Sequence, residues 1–169
     1  MKRFDICSVR TTPSFNPLLL SGFLILNFPS KSETCYLVED MISSKFILDI
    51  LDLLLDGDEA GKTLRPQIDY LTDAKYNYTG VGVFVTFLSS TGIENYRYPE
   101  DKVVLDGVSI TSTELGILGA STILFVSNGV LDTLEIFSYD GGYPRRELSD
   151  YTLKQEGNLG FGREIKSPG

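Results

Sequence analysis

Few residues in this chain are of types that carry chemistry, and histidine is missing altogether. Its absence removes Ser-His-Asp and Cys-His nucleophilic sites. It also removes the commonest zinc ligand and the one side chain that ordinarily titrates near neutrality. Reaction chemistry would have to run on carboxylates, lysines or tyrosines. Glu135 is the sharpest candidate, because it interrupts the mostly apolar run Leu131–Phe137. A carboxylate in an apolar setting costs free energy unless it is paired or hydrogen-bonded. Burial would raise its pKa and suit it to general acid or base work. The competing role is structural, with Glu135 bonded to Thr122 or to nearby backbone.

Three other groupings invite a site reading. Asp49, Asp52 and Asp56, followed by Asp58 and Glu59, could collect a hard cation. They lack the alternating ligands and distant bidentate glutamate of a calcium loop, and their helical spacing predicts a solvated face. Such a face is better read as a negative patch for a basic partner, and no metal or cofactor is expected. Tyr139, Tyr143 and Arg145 belong to a stretch mixing glycine, aromatic and arginine residues, a composition common in binding loops. Gly80-x-Gly82 suggests a phosphate loop, but position 85 is Val and no Gly-Lys-Ser/Thr follows. Two glycines in a strand more simply allow a close backbone approach.

Charge bounds the partners. The net charge is −8, and residues 41–155 carry the whole excess, with nine basic and seventeen acidic residues. An acidic domain repels nucleic-acid phosphates and anionic membranes. It suits cationic ligands or a protein with a basic surface. Tyr76, Tyr78, Tyr96 and Tyr98 are therefore read as cross-strand packing, not as base-stacking platforms. Two cysteines, Cys7 and Cys35, are too few for a disulfide framework and point to a reducing, cytoplasmic setting.

The elements that must position these residues follow from periodicity. Residues 1–40 are rich in Ser, Thr and Pro around the apolar run Leu18–Leu26. They read as a loosely attached N-terminal extension or as a strand added to the sheet. The run imitates a signal peptide, but Asp5 sits in the basic region and no small-x-small site follows. A single domain is expected over 41–155, with a mobile tail over 156–169.

Within that domain the spacing predicts a helix over 43–56, capped by Ser43 or Ser44 and stopped at Gly57. Ile47, Ile50, Leu51 and Leu54 form its inner row. A second helix over 58–70 is interrupted by Pro66. From Tyr76 the period falls to two, giving one strand with Val81, Val83, Val85 and Phe87 on one face. Asp106-Gly107 and Asn128-Gly129 each carry the signal of a two-residue hairpin. The second hairpin then pairs Glu135 with Thr122, and its two apolar faces both call for cover. The expected fold is α+β, with two N-terminal helices packed on a mainly antiparallel sheet.

Several short motifs carry a resemblance. They are Tyr78-Thr79-Gly80-Val81-Gly82-Val83-Phe84, Leu124-Phe125-Val126-Ser127-Asn128-Gly129 and Leu134-Glu135-Ile136-Phe137-Ser138-Tyr139. Over residues 41–144 the chain resembles a group of small bacterial proteins with a TGVGFF strand and an LLFV-x-(D/N)G…LE-x-FSY hairpin. The resemblance implies a similar fold and a bacterial source, and it brings no activity with it. Pro66 departs from the pattern. The residues thus support a non-enzymatic acidic interaction module for a basic protein partner, in the manner of immunity proteins. The alternative is a small-ligand domain or carboxylate-based enzyme centred on Glu135.

Overall fold

The computed structural model describes residues 41–156 and 162–168. Readings of Cys7, Cys35 and the run Leu18–Leu26 lie outside the described residues. The described chain opens with helix α1 (Lys45–Leu54), followed by the shorter α2 (Glu59–Leu64) and a 3-10 segment over Arg65–Tyr70. Seven strands follow: β1 (Leu71–Tyr78), β2 (Gly82–Ser89), β3 (Lys102–Thr111), β4 (Ala120–Ser127), β5 (Val130–Ser138), β6 (Thr152–Gln155) and β7 (Glu164–Lys166). They form one antiparallel sheet in the order β1-β2-β5-β4-β3-β6-β7.

This architecture corrects the α+β expectation. The domain is mainly a curled antiparallel sheet of half-barrel form, with two short helices. Pro66 has no N–H to continue a helical ladder, so the second helix ends at Leu64 and continues as 3-10 turns. α1 forms where its inner row predicts, and the Ser44 hydroxyl accepts from the Ile47 N–H at 3.1 Å. Phe46, Ile47, Ile50, Leu51 and Leu54 join one core with Val83, Val85, Leu124, Leu134 and Ile136 from the sheet.

Two turns fall elsewhere than expected. The stretch from Tyr76 to Phe87 is two strands, because the chain reverses at Thr79–Val81 with Gly80 at φ 91°. Asp106-Gly107 is no hairpin. Residues 102–111 run as a single strand along β4, with the register shifting between Asp106 and Ser109. Gly107 takes φ 101°, a conformation that suits a β-bulge as well as a turn. Pairing both halves to β4 secures more ladder than a hairpin of four-residue arms. Nor is the C-terminal stretch wholly a tail: β7 pairs with β6 through Leu153 and Ile165.

The Asn128-Gly129 hairpin does form, with Asn128 at φ 53° and Gly129 at φ 71°. Its register departs from the expected one after two pairs, Ser127 with Val130 and Val126 with Leu131. Val126 faces Leu131, but Phe125 faces Thr133, so Asp132 is an extra residue in β5. This bulge turns every later side chain to the other face. Leu134 and Ile136 point into the core and are fully buried. Glu135 lies opposite Ile123 and Phe84, on the face away from α1, and not opposite Thr122.

Candidate functional site

Asp49 and Asp52 on α1 and Asp56 in the turn after it line up as spaced, but each has a partner. Lys45 Nζ donates to both Asp49 oxygens at 2.7 and 2.5 Å, and the Tyr151 hydroxyl donates to Asp49 Oδ2 at 2.9 Å. Arg65 ion-pairs with Asp52, and Arg163 bridges Asp52 at 2.6 Å and Asp56 at 3.0 Å. Arg163 reaches the helix from the loop before β7, a stretch whose composition reads as a tail. Spacing along α1 could reveal the acids but not the cations that meet them. Among the described residues no group of three or more His, Cys, Asp or Glu side chains could hold a metal.

The glycine-aromatic stretch after β5 splits in two. Tyr139 is 56% exposed and meets Phe137 edge-on at 5.4 Å between ring centroids. Tyr143 is buried, its N–H donating to the Gly80 carbonyl at 2.9 Å. Its hydroxyl has no hydrogen-bond partner among the described residues, and burial pushes the phenol up. Arg145 is exposed, whereas its neighbour Arg146 ion-pairs with Glu114 at 2.5 Å.

Glu135 stands in the middle of the sheet's other face. Phe84 flanks it on β2 and Ile123 on β4. One row along, Phe125 pairs with Val104 of β3, and Phe137 pairs with Gly82. Phe84, Ile123, Phe125 and Phe137 are half-buried, and none belongs to the core or packs against it. Val104 is 58% exposed. The Phe137–Tyr139 contact extends the apolar surface to the end of the sheet. There Tyr139 N–H donates to the Gly119 carbonyl, and Leu118 stands 65% exposed. Glu135 forms no salt bridge with any described residue. The expectation that both hairpin faces are covered therefore holds for the α1 side alone among the described elements.

A separate cleft of about 230 Å3 opens at the hairpin tip. Phe87, Val130 and Leu131 supply its apolar lining, while Arg97, Ser127, Asn128 and Asp132 supply polar groups. Glu135 does not line it. Arg97 Nη1 donates to the Asn128 carbonyl at 2.6 Å. Among the described residues the carboxylate of Asp132, the bulge residue, accepts only long bonds, from Ser127 at 3.4 Å and Thr133 at 3.3 Å. Gln67, fully buried, ties the tip down. Its amide donates to the Tyr96 and Gly129 carbonyls at 2.7 and 2.8 Å, and its oxygen accepts from Leu131 N–H at 2.9 Å. Neither Gln67 nor Arg97 carries a sequence signal, since both contacts bridge segments far apart in the chain.

No helix among the described residues is long and apolar enough to cross a membrane. No family model, curated protein or solved structure matches the chain.

Proposed function

We propose that this chain is a non-enzymatic interaction module that binds a protein partner through the sheet face that no described element covers. The partner presents an apolar surface with a lysine or arginine positioned against Glu135. The observation that carries this reading is the apolar face of Phe84, Ile123, Phe125 and Phe137 around one carboxylate without an ion pair among the described residues. Half-buried apolar side chains outside the core, flanked by the exposed Val104 and Tyr139, are the kind of apolar surface found at interaction sites. A charged group at its centre favours a complementary partner and penalises others. The net charge of −8 further favours a cationic partner, of which a toxin neutralised by an immunity protein is one kind. The electrostatic argument rests on Glu135, because Asp49, Asp52 and Asp56 are already engaged within the molecule.

A pull-down from the native host with wild type, Glu135→Lys and Phe125→Ser tests this reading. Wild type is expected to retain a basic protein that both variants lose and that high salt weakens. Retention unchanged by both substitutions would place the interface elsewhere. Self-association of the purified chain, abolished by Glu135→Lys, would make a second copy the occupant and overturn the heterologous reading.

A further inference from the structure

The cleft at the tip of the β4–β5 hairpin brings together one cation and one anion that do not pair. Arg97 and Asp132 both line it, yet they form no salt bridge with each other. Arg97 uses one N–H of its five-donor fork on the Asn128 carbonyl and, with Glu94 nearby, forms no ion pair among the described residues. Asp132 is presented by the β5 bulge, the kind of irregularity that re-aims a side chain. Val130, with small patches of the otherwise buried Phe87 and Leu131, supplies the apolar part of a mostly polar lining.

The walls are held in place before any ligand arrives. The Gly129 carbonyl accepts from both Tyr98 N–H at 2.9 Å and Gln67 Nε2 at 2.8 Å, and Leu131 N–H donates to Gln67. Such preorganisation lowers the cost of binding. At about 230 Å3 the cleft falls below the range of about 300–1,000 Å3 usual for drug-sized ligands, so it selects something small.

We propose that this cleft binds a small zwitterion of the α-amino-acid type, its carboxylate on Arg97, its ammonium on Asp132 and its apolar side chain against Phe87 and Val130. A ligand bearing only a carboxylate would meet Asp132 unfavourably, and one bearing only an ammonium would meet Arg97. A free amino acid satisfies both charges within one small volume. This site is separate from the sheet face around Glu135 and does not depend on that face binding a protein.

The test is an NMR titration of the full chain with L-leucine, leucinamide and N-acetylleucine. Leucine is expected to give saturable shifts at the amides of Arg97, Asn128, Val130 and Asp132. Each single-charge analogue is expected to bind about tenfold more weakly or worse, the loss of one charge-assisted contact. Arg97→Gln and Asp132→Asn should weaken leucine binding by a similar factor. The inference is overturned if leucine gives no saturable shifts, or if leucinamide or N-acetylleucine binds as well as leucine. It is equally overturned if both variants bind leucine like wild type. Should a variant lose its dispersed spectrum, the analogue series on the wild-type chain still decides.

Discussion

Gln67 does more for the hairpin tip than any residue within it. Its three bonds join the segment before β1 to Tyr96, Gly129 and Leu131, all beyond reach in sequence. Replacing it with alanine leaves the buried Leu131 N–H without a partner and opens a polar void. A cost of about 3 kcal/mol is expected, read as a lower denaturant midpoint with an unchanged slope. Asp73 plays a similar local part at the other edge. It accepts from Ser43 N–H at 2.8 Å, from Ser43 Oγ at 3.0 Å and from the Tyr76 hydroxyl at 2.7 Å. Burial pushes its carboxyl up, but these bonds outweigh burial and leave it below its ordinary value. A depressed folded pKa stabilises the protein above the unfolded value of about 4, and that stability is lost as pH falls through the folded value. Denaturation measured between neutral pH and pH 3 should therefore show an acid loss that Asp73→Asn reduces.

At the scale of the element, the bulge at Asp132 decides which side of β5 meets the core. Side chains alternate strictly along a strand, so one extra residue exchanges the two faces. With the bulge, Leu134 and Ile136 are buried and Glu135 looks outward. Deleting Asp132 would remove the extra residue and leave Leu131, Leu134 and Ile136 in simple two-residue alternation on the core face, with Glu135 still outward. The expected result is a cooperative transition that survives the deletion, followed by circular dichroism through a denaturant titration. Thr133→Ala, on the outward face, should leave the transition within about 0.5 kcal/mol of wild type. α1 illustrates the reverse case: its apolar row at three-to-four spacing and its Ser44 cap are local features, and the helix appears where they place it.

For the molecule as a whole, the phenols record how tightly the core is closed. Burial raises Tyr76, Tyr143 and Tyr151, with Asp73 adding to the shift at Tyr76 and Asp49 at Tyr151. A raised folded pKa gives stability that is full below the unfolded value of about 10 and is lost as pH rises toward the folded value. In an alkaline titration followed by tyrosinate absorbance, these three should ionise only as the protein unfolds. Tyr151→Phe removes one of the three late phenols and also the bond to Asp49. A smaller late absorbance step and a loss of about 1 kcal/mol are expected.

The sequence by itself determined the features that live within a few residues. These are the inward row of α1, the break at Pro66, the turn at Asn128-Gly129 and the excess of acid over base between residues 41 and 155. Each is set by local periodicity, a missing N–H, a permitted positive φ or a simple count. Tertiary structure decided the rest. Asp106-Gly107 has the composition of a turn, but β4 was long enough to pair with both of its flanks, so it became a bulge. The acids of α1 read as a free face until Arg65 and Arg163 came to them from outside the helix. Glu135 was assigned to an apolar interior by alternation alone, and one unpaired residue in β5 moved it outward. Sheet register depends on where neighbouring strands gain the most burial, a quantity no single strand contains.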